Sequence, residues 1–170
     1  MSERQNWQSA FLKQARADWE AYQKTSRATW AACHRLQFLQ MAAEKLGKAF
    51  LVAGPSSLET TTQSHAAFVK FLRIVSNNRK LKNALGKKRA QQRKHFNQLL
   101  PLAYEIELLA PALAQSGPNP EYPWKDASGN VLAPGDYSFQ LFKQLQKTRQ
   151  GIQLLKHIDI FLKRFEELFM

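Results

Sequence analysis

The stretch Cys33 to Leu51, CHRLQFLQMAAEKLGKAFL, constrains the fold more than any other part of the chain. Leu36, Leu39, Ala43, Leu46 and Phe50 recur at steps of three and four, the spacing that lines one face of an α-helix. An apolar stripe of this length has to be covered by other helices. Ala42, Ala43, Gly47 and Ala49 widen it with small side chains. A neighbouring helix is therefore expected to approach closely, at the cost of about 1 kcal/mol that glycine carries relative to alanine in a helix. On the other edge Gln37, Gln40, Glu44 and Lys48 line up, and Glu44 precedes Lys48 by four residues, the orientation that favours an ion pair. On an exposed edge such a pair adds little stability.

The same periodicity organises the flanks. Trp7, Phe11, Ala15, Trp19 and Tyr22 predict a first helix from Glu3 to Thr25 with its aromatic side chains in the core. A polar break from Thr25 to Thr29 follows, and Trp30, Ala31 and Ala32 lead into the organising helix, which should stop near Ala53-Gly54-Pro55. The run PSSLETTTQS is expected to be a loop. Ser64 is placed to cap a short helix carrying Phe68, Phe71, Leu72 and Val75, which ends near Asn77-Asn78. From Lys87 to Leu113 the positions Phe96, Leu99, Leu100, Ala103, Ile106, Leu109 and Leu113 again keep a helical period. Pro101 interrupts them, either kinking one helix or opening a second. A long proline- and glycine-rich loop from Ser116 to Asp136 contains Tyr122, Trp124 and Val131, which argue that it packs against the bundle. One last helix is expected from Asp136, with Phe139, Phe142, Leu145, Ile152, Leu155, Ile158, Leu162, Phe165 and Phe169 inward and Gly151 as a place to bend. No segment alternates as a strand does. The expectation is an all-α fold, a single-domain bundle of about five helices over residues 1–170.

Composition narrows the function classes. With 44% hydrophobic and 22% charged residues over 170 positions, the chain can bury a core without disulfides or metals. It carries no apolar run long enough for a membrane span and no signal-peptide core at MSERQNWQ, which predicts a soluble, cytoplasmic protein. Cys33 is the single cysteine and is expected to be a small core residue. Neither a Walker loop, nor GxGxxG, nor GxSxG is present, and no histidines share the four-residue spacing of a helical zinc site, so neither a cofactor nor a metal is expected. His34, His65 and His157 are expected to be structural hydrogen-bonding residues.

The net charge is +12 and the isoelectric point is near 10.0, which favours a polyanionic partner. Its distribution is uneven. Arg79, Lys80, Lys82, Lys87, Lys88, Arg89, Arg93 and Lys94 follow one another with no acidic residue between them, which marks the expected path of a phosphate backbone.

QMAAEKLGKAFLVAG, followed by SHAAFVKFL, resembles the opening helices of HEPN domains, whose pattern is roughly QQAAEKALKALL, a loop, then THDL. Gln40, Ala42, Ala43, Glu44, Lys45, Lys48 and Ala49 match it. Met41 replaces the second glutamine, Ser64-His65 stands for Thr-His, and Ala66 replaces the acidic residue; the match lies mainly over residues 33–75. The resemblance implies a HEPN-like bundle, a homodimer, and a role in binding RNA or a nucleotide as an accessory protein in a defence or toxin-antitoxin setting. Two alternatives stay open: a metal-independent endoribonuclease, and a structural dimer that meets a protein partner such as an antitoxin through its basic face. Many members of the family cleave RNA with an arginine followed four to six residues later by a histidine. Here only Arg89 and His95, in RAQQRKH, have that spacing. Six helical steps set the two about 120° apart, Ala90 occupies the motif's usual polar position, and the pair does not lie on the final helix.

Overall fold

The computed structural model describes residues 2–25, 29–86, 88–114 and 117–170, and among them it is an all-α protein of ten helices. The first two form its framework. α1 (Glu3–Thr25) and α2 (Ala32–Leu51) run antiparallel, because residues near the start of α1 meet the end of α2. Gln8 Nε2 donates to the Ala49 carbonyl at 3.0 Å, and Arg4 donates to the carbonyls of Val52, Gly54 and Ser56 at 2.8, 3.0 and 3.1 Å. Arginine thus satisfies carbonyls that the end of a helix and the turn after it leave without partners. Further along α1, Lys45 Nζ lies 2.9 Å from Asp18 Oδ2.

The predicted face of α2 is the middle of the core: Leu36, Leu39 and Leu46 are completely enclosed, and Phe50 is half-buried at its end. Gly47 has the role expected of it. A Cβ there would fall 2.6 Å from the carbonyl carbon of Ala67, so the start of α4 (Phe68–Val75) rests on the backbone of α2. Phe68, Phe71, Leu72 and Val75 of α4 are all buried.

Several boundaries differ from the expected ones, each for a local reason. PSSLETTTQS is not all loop. Ser57 Oγ accepts from Thr60 N at 3.1 Å and opens the short helix α3 (Leu58–Gln63). Ser64 therefore follows α3 instead of capping α4, whose cap position is Ala67. After α5 (Arg79–Ala84), α6 (Arg89–Glu107) runs unbroken through Pro101. Proline leaves the Asn97 carbonyl without an intrahelical donor, and since both residues are exposed, water can supply one. α7 (Pro111–Ala114) is a single turn.

The loop before the last helices is ordered by its aromatic residues. Two short antiparallel strands, β1 (Trp124–Lys125) and β2 (Val131–Leu132), form a ribbon too brief to show alternation in the sequence. Trp124 is buried and meets Tyr137 edge-to-face at 4.9 Å, so it does pin the loop, whereas Val131 and Tyr122 are exposed.

The single final helix is three. α8 (Gln140–Lys147) stops where Thr148 adopts an extended conformation, and the Thr148 hydroxyl accepts from Gly151 N to open α9 (Arg149–Lys163), which gives way to α10 (Phe165–Phe169). Gly151 does not bend a continuous helix; a Cβ there would fall 2.4 Å from the Gln144 carbonyl oxygen, so glycine lets α9 start hard against the end of α8. The break also shifts the helical phase, and Ile152, expected inside, is exposed.

α9 closes the core through Leu154, Ile158, Phe161 and Leu162. It is tied to α1 by Trp19 Nε1, which donates to Asp159 Oδ1 at 3.0 Å, and by Arg16 Nε, which donates to the Leu162 carbonyl at 2.9 Å. Trp19 and Tyr22 are core residues as expected, but Trp7 is exposed and stacks on Phe11 at 5.5 Å. Among the described residues no helix is long and apolar enough to cross a membrane.

Candidate nucleic-acid interface

The basic segment is built from α5 and the first turns of α6. Asn78 caps α5 by accepting from Leu81 N at 2.8 Å, and Leu81, with no exposed surface, fixes that short helix to the core. Arg79 and Lys80 consequently point outward, with Lys82 half-buried. Gly86, at φ 61°, makes the left-handed turn that brings the chain back, a conformation costly for any residue with a Cβ. α6 then starts with Lys88 N donating to Gln91 Oε1 at 3.2 Å, half of a capping box.

The side chain that joins the two halves is Gln92. It is almost wholly enclosed, and its Nε2 donates to the carbonyls of Val75 at 3.0 Å and Asn78 at 3.2 Å. α6 is thereby locked to the end of α4 and the start of α5. Lys88, Arg89, Arg93 and Lys94 are left exposed on α6, while Lys87 lies outside the described residues.

None of Arg79, Lys80, Lys82, Lys88, Arg89, Arg93 and Lys94 enters an ion pair among the described residues. The ion pairs there use acidic residues elsewhere, at Asp18, Glu20, Glu44, Asp159, Glu166 and Glu167. No ion pair among the described residues therefore offsets the charge of these basic side chains.

Arg89 and His95 take different surroundings. Arg89 is exposed at the first residue of α6. His95 is half-buried, and its Nε2 lies 2.7 Å from Nε2 of the buried His157 on α9, with Phe96 and Phe161 around the two rings. At that distance one imidazole donates its N–H and the other accepts, so the pair holds α6 to α9. His157 is the structural hydrogen-bonding residue expected, but its partner lies 62 positions away in the sequence and no local pattern joins the two. His65 Nδ1 lies 3.2 Å from Glu44 Oε2, and His34 is exposed beside Trp30. Among the described residues no group of three or more His, Cys, Asp or Glu is arranged to hold a metal ion.

The second electrostatic cluster of the fold sits where α2, α4 and α6 meet. The Glu44–Lys48 pair forms as expected, at 2.8 Å, but with 14% and 7% of the two side chains exposed it is an interior bridge and not an edge one. Burial acts to raise the Glu44 pKa, but Lys48, Gln40 and His65 together outweigh it and hold the carboxyl below its ordinary 4.5. Glu107 goes the other way. Burial raises its pKa above 4.5, against the opposing effect of Val69 N, which donates to its Oε2 at 3.0 Å.

The signs of their pH effects differ accordingly. Glu44 contributes stability that is present above 4.5 and is lost as pH falls through its depressed folded value; Glu107 contributes stability below 4.5 that is lost as pH rises through its raised one. Glu44→Gln is therefore expected to lower stability at neutral pH while flattening the loss of stability below pH 4.5. Urea midpoints at neutral pH and near pH 3.5 check this, and parallel acid profiles for variant and wild type would contradict it.

Comparison of the chain with protein-family models, with curated proteins and with solved structures finds no match.

Proposed function

We propose that this is a HEPN-like accessory protein that binds RNA or a nucleotide through the face formed by α5 and the start of α6, without cleaving it. One observation carries the proposal: a run of exposed cations, fixed in place by Gln92 and Leu81, has no ion-pair partner among the described residues. Fixed, uncompensated lysines and arginines suit a phosphate chain, whose counterions they release on binding. The resemblance of QMAAEKLGKAFLVAG and SHAAFVKFL to HEPN domains agrees with the reading and favours a homodimer, with a partner such as an antitoxin. Binding without cleavage is preferred because His95 is turned onto His157 while Arg89 stands in solvent.

Labelled single-stranded RNA, incubated in EDTA with wild type and with His95→Ala, tests this. The expected result is saturable binding at low salt by both proteins and intact RNA throughout. Cleavage by wild type that His95→Ala lacks would replace the reading with a metal-independent ribonuclease, and absence of binding at low salt would remove it.

A further inference from the structure

A cavity of about 370 Å³ lies between the end of α2, the turn after it, α4 and α10, and no described residue of the basic segment lines it. Its walls are apolar: Phe50, Leu51, Pro55, Ile74 and Phe169 line it, with the Phe50 and Phe169 rings edge-to-face at 5.4 Å. The turn that forms one side is held by the three hydrogen bonds from Arg4 to the Val52, Gly54 and Ser56 carbonyls, so the pocket is preformed. Size and lining both suit a small molecule with an apolar body.

One charge faces the cavity. Among the described residues Lys70 is the sole charged one lining it and enters no ion pair, and its Nζ lies 3.4 Å from Ser56 Oγ. An ammonium and a hydroxyl together offer donors to one anionic head, while the apolar walls supply no partner for the polar edges of a nucleobase. A single lysine matches one negative charge and falls short of what a phosphate dianion needs.

We infer that this pocket binds an apolar monocarboxylate, of which a medium-chain fatty acid is the simplest. The carboxylate pairs with Lys70 and Ser56, and the hydrocarbon lies against Phe50, Ile74 and Phe169. The lining shares no described residue with the basic segment, so the inference stands whether or not that segment binds RNA.

Calorimetric titration of the full chain with octanoate, and with octanol as the uncharged control, tests the inference. Octanoate is expected to bind at one saturable site. Lys70→Gln should weaken it about tenfold, the effect of one charge-assisted contact, and leave octanol binding unchanged. Ile74→Asp, at an exposed position where the fold tolerates a charge, should abolish octanoate binding. Replacement of Lys88, Arg89, Arg93 and Lys94 by glutamine should leave it intact. Absence of saturable octanoate binding, indifference to Lys70→Gln, or loss of binding in the α6 variant would each overturn the assignment.

Discussion

Leu46→Asp is expected to abolish the native fold. Leu46 has no exposed surface and lies in the C-terminal half of α2, the helix against which α1, α4 and α6 pack. An aspartate there has neither solvent nor a cation within the apolar layer, so the chain must bury an unpaired carboxylate or protonate it, and it also loses the leucine's packing. Each effect costs several kcal/mol. Together they approach the whole stability of a domain of this size, about 5–15 kcal/mol. Far-ultraviolet circular dichroism and thermal melting provide the measurement, with loss of the cooperative transition as the expected outcome. Phe50→Asp makes the internal control. Phe50 is half-buried, so a carboxylate at that position can reach water, and a lower melting temperature with the transition preserved is expected. A Leu46→Asp protein that melted like wild type would mean that the face of α2 is not the centre of the core.

The central helix was legible because it is long and its neighbours leave it no choice of face. Leu36, Leu39, Leu46 and Gly47 declare both the stripe and the place of closest approach, and the structure uses them so. Segments with fewer residues per element were less legible. Thr148 has only a hydroxyl and a following glycine to mark it as a helix start, yet that cap splits the predicted final helix and turns Ile152 outward. α3 depends likewise on one serine, Ser57, in a run whose many small polar residues could each cap or form a turn.

Polar groups that act across the chain were the least legible. Gln92 reads as one glutamine among several in RAQQRKH, and its role depends on the carbonyls of Val75 and Asn78 arriving 3.0 and 3.2 Å away. His95 and His157 have the same difficulty, since tertiary packing alone brings them together. For the candidate site, sequence therefore indicated which cations gather, whereas the buried amide that holds them in one place belongs to the fold.

Removing those cations is expected to produce the largest functional change. Each phosphate contacted by lysine or arginine contributes about 0.7 to 0.9 to the slope of log affinity against log salt. The segment can supply about four such contacts, giving a share of about three units of slope. Replacement of Lys80, Lys88, Arg89, Arg93 and Lys94 by glutamine is thus expected to flatten the slope by about that amount and to weaken RNA binding at low salt by roughly two to three orders of magnitude. The loss should be similar for all RNA sequences, because phosphate contacts position a strand without reading its bases. All five side chains are exposed and free of ion pairs among the described residues, so the variant should fold as wild type does, which thermal melting verifies. Replacing Lys13, Lys24 and Lys143, which lie outside the segment in the sequence, removes charge from other helices and should change the slope less. Equal flattening by both variants would mean that overall charge, and not the arrangement fixed by Gln92, draws the polyanion. Unchanged affinity in the first variant would leave α5 and α6 with no part in binding.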